Sequence, residues 1–175
     1  CSYCVVPHTR GREISRPAKE IICEVKNLVK RSYKEIVLLG QNVNSYKSLI
    51  NTNLNTNNAN NIRKDSRAIN FPKLLKTIND IAGNFKIKFL TSHPKDMSDE
   101  LIEVITNCKK ISKEIHLPIQ SGDNTILKKM NRGYTVSQYK NLVKKIRKAI
   151  PEAIISTDVI VGFPGETKKQ FEDTI

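Results

Sequence analysis

The chain has 175 residues, of which 38% are hydrophobic and 27% charged, with a formal net charge of +13. That length supports one hydrophobic core, so a single domain is the starting expectation. No run approaches the roughly 20 apolar residues of a membrane-spanning helix, and four cysteines in a chain this long do not make a disulfide-stapled scaffold. A reduced, cytoplasmic setting is expected, with no membrane partner and with cysteines free for metal or redox use. The charge is uneven: residues 1–88 carry 16 Lys and Arg against 6 Asp and Glu, the remainder 14 against 11. A basic field of this size suits a polyanionic partner such as nucleic acid, but a solvated Lys-rich surface has the same composition, so charge alone does not settle function.

In chain order, Pro17 is placed to open a helix with Ile21, Ile22, Val25, Leu28 and Val29 on one face. Glu35–Leu39 is a short apolar run ending at Gly40, read as a buried strand. Asn51–Asn61 is too polar to offset its ordering entropy, so 51–67 is read as a disordered, Asn-rich loop insertion. Leu74, Leu75, Ile78 and Ile81 repeat the helical spacing, with Gly83 as the stop. Lys86–Leu90 is the next strand, and Ser98 caps a helix bearing Leu101, Ile102 and Ile105. Glu114–Pro118 is a third strand, followed by a short helix through Leu127 and Met130. Thr135 and Gln138 form a capping box for a helix carrying Tyr139, Leu142, Val143 and Ile146, which Pro151 ends. Ala153–Gly162 is the longest strand candidate, and Thr167 with Gln170 caps a last helix. The chain opens on Cys1 and stops at Ile175 inside that helical pattern, so an internal piece of a longer protein is expected.

Strands that alternate with helices make a parallel sheet, and an open doubly wound sheet and a partial barrel both satisfy the pattern. Either places ligands at the carboxyl ends of strands. Those ends read GQN, TSHP, PIQSG and GFPGE, four small and polar loops on one edge. Cys1-Ser2-Tyr3-Cys4 is a C-x-x-C, which by itself is compatible with half a zinc site, a redox pair or half an iron–sulfur motif. Cys23 and Cys108 fall singly on helices and read as packing or surface residues. Because Cys4 leads into a long basic loop and not a helix, the redox pair fits least well.

CSYCVVPHTRGREISRP resembles the cluster loop of radical S-adenosylmethionine (SAM) methylthiotransferases, whose C-x-x-x-C-x-x-C has an aromatic residue before its last cysteine. LLGQNVNSY, FLTSHP, IHLPIQSGD, LKKMNRGYT and STDVIVGFPGET match further blocks of that family in the same order, covering nearly the whole chain. The resemblance implies an incomplete (β/α)6 partial barrel of mainly parallel strands, with its first and last strands outside residues 1–175. Such a piece is expected to be inactive and poorly soluble alone, because it leaves strand edges unpaired.

The resemblance also implies a 4Fe–4S cluster held by Cys1, Cys4 and a third cysteine four residues upstream, leaving one iron open to SAM. Tyr3, Gly40, Gln41, Asn42, Gln120, Ser121, Arg132, Val161 and Gly162 fall on the family's SAM-contacting blocks. Arg10, Arg12 and Arg16 follow the cluster loop and suit contact with RNA phosphates. His116 is read as a hydrogen-bonded core histidine and His93 as lining the pocket or closing a turn, while His8 is assigned no role. An auxiliary 4Fe–4S cluster on an N-terminal domain, a C-terminal TRAM domain, an electron donor and a monomeric state are further implications.

LLGQNVNSY and LPIQSG resemble the branch that adds a methylthio group to carbon 2 of dimethylallyladenosine in the tRNA anticodon loop. The alternatives are threonylcarbamoyladenosine in tRNA, a ribosomal-protein aspartate, and a non-catalytic basic RNA-binding module on the same scaffold.

Overall fold

The computed structural model describes residues 1–49 and 68–175. The Asn-rich tract, and with it the expected loop insertion over 51–67, lies outside the described residues. The strands are β1 (Glu35–Leu38), β2 (Lys47–Leu49), β3 (Ala68–Asn70), β4 (Lys86–Phe89), β5 (Glu114–His116) and β6 (Ile154–Ser156). The helices are α1 (Val6–Arg10), α2 (Ala18–Lys30), α3 (Phe71–Asn79), α4 (Asp99–Asn107), α5 (Asn124–Lys129), α6 (Val136–Ala149) and α7 (Lys168–Glu172).

β1 pairs parallel with β4, and β5 parallel with β6. A parallel bridge between Ile87 and Ile111 joins β4 to the segment entering β5. The expected parallel α/β arrangement is thus present, with one antiparallel addition, the short β2–β3 pair. Alternation along the strands turns Ile36, Ile87 and Ile115 towards the helices. The opposite face carries charge: Lys88 Nζ lies 3.1 Å from Glu35 and 3.3 Å from Glu114, tying β1, β4 and β5 together. His116 is on that face too, partly exposed, with its ring nitrogens 3.0 Å from Ser156 Oγ and 3.1 Å from Asp158 Oδ2. It is hydrogen-bonded as expected but does not belong to the apolar core.

On the helical side, α2 packs on α3, α3 on α4 and α4 on α6, following the order of the strands. Leu75, Ile78, Leu101 and Ile105 are wholly buried at these contacts, each contributing roughly 1.5–3 kcal/mol by leaving water. The capping signals act as their residue types require. Ser98 accepts from Leu101 N, and both the Thr135–Gln138 and Thr167–Gln170 boxes close reciprocally.

Several boundaries differ from the sequence reading. The strands β1, β4 and β5 end one or two residues early, and Val6–Arg10, read as part of a basic loop, forms the short helix α1. Pro17 is the N-cap of α2, not its first residue. α3 ends at Asn79, four residues before Gly83, because the backbone N–H of Asp80 already closes the last turn. The long strand expected over 153–162 shrinks to Ile154–Ser156. Beyond Ser156 the ladder groups of the β5 side turn to side chains, Leu117 O accepting from Tyr139 Oη at 2.8 Å and Ile119 N donating to Thr157 Oγ1 at 2.8 Å, so pairing resumes only as a single bridge between Gln120 and Val159.

α7 closes on the loop after β5. Gly122 N donates to Thr174 Oγ1 at 2.9 Å, and Gln170 donates to Asp123 Oδ1 at 3.0 Å. A Cβ at Gly122 would fall 2.2 Å from the Asp173 carbonyl oxygen, a backbone atom that cannot swing aside. Gly122→Ala is therefore expected to lower stability by about 1–3 kcal/mol, read as a lower urea midpoint with an unchanged slope.

Candidate functional site

The first four residues are pinned to the carboxyl edge of the strands. Ser2 N donates to Met130 O at 3.0 Å and Ser2 Oγ to Lys129 O at 2.7 Å, at the end of α5. The Tyr3 ring meets Phe163 edge-on with centroids 6.2 Å apart, fixing the loop to the GFPG turn. Burial raises the Tyr3 pKa, so its phenol stays protonated. All four cysteines are free thiols: Cys23 is exposed on α2, and Cys108 is buried at the end of α4.

Cys1 and Cys4 line one cavity of about 810 Å³. Around it stand Gly40, Gln41 and Asn42 at the end of β1, His93 after β4, Arg132 after α5, and Arg10, Arg12 and Arg16 from the basic loop. The structure therefore brings together both cysteines, the first strand end, Arg132 and the three arginines. Gln120, Ser121, Val161 and Gly162 are not among the lining residues. Ser121 is fully buried, and its hydroxyl accepts from Asp123 N at 3.2 Å within the turn. Gln120 N donates to Asp158 O, and its carbonyl accepts from Ile160 N. Val161 is exposed, and Gly162 N donates to Glu166 Oε2 at 2.7 Å; Tyr3 reaches this turn only through Phe163.

The strand ends carry conformational strain. Thr91 after β4 (φ 71°), Gln120 after β5 (φ 72°) and Asn131 after α5 (φ 56°) all occupy the left-handed region. For a residue that is not glycine this costs on the order of 1–3 kcal/mol, and such strain concentrates at ligand sites. Asn42 donates to Asp96 Oδ2 at 2.6 Å, while its own Oδ1 is buried without a partner. The cavity wall therefore holds an unused acceptor that an amine could satisfy.

His93 was legible in the sequence only as a pocket or turn residue, and it is both. Its Nδ1 accepts from Lys95 N at 3.1 Å, and its ring meets Tyr134 edge-on at 5.7 Å. Burial, reinforced by the Arg132 charge, pulls its pKa down to about 4. With the folded value below the unfolded value of about 6.5, protons favour the unfolded chain as pH falls. The His93 contribution to stability is complete above about pH 6.5 and lost on descent towards pH 4. Denaturant midpoints taken across that window should fall less steeply in His93→Gln than in the wild type.

Sequence reasoning also passed over Tyr134 as a site residue. Its hydroxyl donates to Ile119 O at 2.8 Å and accepts from Arg132 Nε at 3.0 Å. Its adjacency to Arg132 in NRGYT was the available signal. Arg16 differs from its neighbours: Nη1 is 2.9 Å from Glu24 Oε2, whereas Arg10 and Arg12 are exposed and have no side-chain partner among the described residues.

The radical SAM superfamily matches this chain over residues 1–175, and the chain belongs to that superfamily. Its cofactors are a 4Fe–4S cluster and SAM. Similar proteins include the tRNA-2-methylthio-N(6)-dimethylallyladenosine synthases of Clostridium botulinum strain Hall, 49% identical, and of Clostridium novyi strain NT, 51% identical. That of Thermoanaerobacter pseudethanolicus is also 51% identical. Each match covers 100% of this chain but 36%, 35% and 34% of the respective relative, so the chain spans about a third of their length.

The residues fit the cofactors in part. Cys1 and Cys4 line one cavity, and Asn42 in its wall holds a buried acceptor without a partner. No group of three or more His, Cys, Asp or Glu suited to a metal occurs among the described residues, so a 4Fe–4S cluster with one open iron needs a thiolate beyond these two.

Proposed function

We propose that this chain is the central part of a tRNA methylthiotransferase that modifies carbon 2 of N(6)-dimethylallyladenosine beside the anticodon. The observation that carries the reading is the shared cavity: Cys1 and Cys4 face the strand-end residues Gly40–Asn42, with Arg10 and Arg12 free on the same wall. When bound, the cluster and SAM supply the one-electron chemistry that activates the adenine carbon. In this reading Cys1 and Cys4 hold the cluster together with a cysteine N-terminal to them. Gly40, Gln41 and Asn42 meet the SAM amino group, and the unused Asn42 Oδ1 is an acceptor suited to it. Tyr3, Val161 and Gly162 flank the adenine, while Gln120 and Ser121 shape the turn beside it. Arg10 and Arg12 contact the phosphates of the anticodon loop.

The fold completes as a partial (β/α)6 barrel. Supporting this, strands and packed helices progress in the same order, and β1 pairs on one edge only among the described strands. Val37 and Leu39 are exposed on the side opposite Ile36, a face that the packed helices leave uncovered. A domain with an auxiliary cluster before this core and a TRAM domain after it complete the proposed enzyme, a cytoplasmic monomer fed by an electron donor. No helix among the described residues is long and apolar enough to cross a membrane.

The test is nucleoside mass spectrometry of tRNA incubated with the full-length, anaerobically reconstituted protein, SAM and a reductant. A methylthio group on dimethylallyladenosine is the expected product. The same group on threonylcarbamoyladenosine or on a ribosomal protein would move the protein to another branch. An absence of bound iron would leave a non-catalytic RNA-binding module.

A further inference from the structure

Arg132 is only 6% exposed, yet it forms no ion pair with a carboxylate among the described residues. A guanidinium withdrawn from water without a counter-charge is strongly unfavourable, so a buried one implies an anion nearby. Its neutral partners hold it rigidly. Nε donates to Tyr134 Oη at 3.0 Å, and Nη2 donates to Pro118 O at 3.3 Å. Tyr134 is itself tied to the Ile119 carbonyl. A third hydrogen bond goes to sulfur: Nη1 donates to Cys1 Sγ at 3.1 Å. The α5 exit that sets Arg132 in place, through Asn131 at φ 56°, also anchors Ser2 by two hydrogen bonds. Cys1 and Arg132 are thus positioned by one turn.

We propose that Arg132 is the buried counter-cation of the cluster held at Cys1 and Cys4, raising its reduction potential through the Cys1 sulfur. This role differs from the SAM contact that the family resemblance implies for the residue. A positive charge and an N–H donor at a ligand sulfur stabilise the more negative, reduced cluster, because potential follows net charge, hydrogen bonding to sulfur and burial. Arg132 is a positioning residue in this scheme, fixing Cys1 and biasing electron uptake.

The inference rests on a cluster being bound at Cys1 and Cys4, and its test separates the two claims. Full-length wild type, Arg132→Gln, Arg132→Lys and Tyr134→Phe are reconstituted anaerobically, assayed for iron, and titrated with dithionite while the reduced cluster is followed by electron paramagnetic resonance. The relevant signal is the one that Cys4→Ala lacks. In Arg132→Gln the reduced-to-oxidised ratio at a fixed potential is expected to fall on the order of tenfold, equal to ~59 mV for a one-electron couple. Arg132→Lys keeps the charge but loses the fork, so it should recover most of that shift. Tyr134→Phe frees the guanidinium without removing it and should shift the potential slightly in the same direction. If Arg132→Gln fails to retain iron, Tyr134→Phe, the other variant with an expected shift, carries the test. Iron bound with an unmoved potential in every iron-retaining variant overturns the role of Arg132 alone. No Cys4-dependent iron in the wild type overturns the cluster reading itself.

Discussion

Cys4→Ala is expected to abolish SAM cleavage in the full-length protein, while Cys23→Ala and Cys108→Ala leave it intact. The separation follows from place and ligand count. Cys4 lines the cavity beside Cys1, whereas Cys23 is exposed on the outer side of α2 and Cys108 is buried where α4 ends. A cluster that keeps one iron open for SAM has three thiolates and no spare, so losing one leaves two, which hold it poorly. Changing a group that merely orients a metal ligand typically costs 10–100-fold, so removing a ligand should cost more than about 100-fold. Cys108→Ala removes only a buried sulfur and should lower stability by about 1 kcal/mol without touching turnover. Release of 5′-deoxyadenosine under dithionite, measured beside iron content, reads all three variants. Wild-type release from Cys4→Ala would end the assignment of this residue to the cluster.

The second large effect concerns RNA. If Arg10 and Arg12 contact the phosphates of an anticodon loop, neutralising both should flatten the salt dependence of tRNA binding. The expected loss of slope is about 1.4, from two contacts at about 0.7 each for single-stranded RNA. Adding Arg16→Gln should change the slope by less than a further such step, because its guanidinium is already paired with Glu24 at 2.9 Å. SAM cleavage without tRNA should stay near wild type, since these side chains would meet the polyanion and not the cofactor. Binding titrations at two salt concentrations measure the slope, and parallel slopes for mutant and wild type would make these arginines a solvated loop.

Much of this was readable in the residues because it depends on local chemistry. The caps at Ser98, Thr135 and Thr167, the buried faces of α3 and α4, and the strand cores around Ile36, Ile87 and Ile115 follow from side-chain period and short-range hydrogen bonding. The C-x-x-C and the ordered blocks pointed to the superfamily because cluster and cofactor chemistry demands particular residues at particular spacings. Other features depend on partners far along the chain and left no local trace. α1 forms inside a segment read as loop, and β2–β3 pairs residues flanking the Asn-rich tract. β6 is cut short where Leu117 O and Ile119 N turn to the hydroxyls of Tyr139 and Thr157, 22 and 38 positions away. Which site residues share a cavity was likewise decided by the fold. Arg132 meets Cys1 across 131 positions, while Ser121, equally polar in the sequence, is used up inside its own turn. A side chain's type is written in the sequence, but whether its hydrogen bonds are spent locally or left for a ligand is set by what the tertiary structure places within about 3 Å of it.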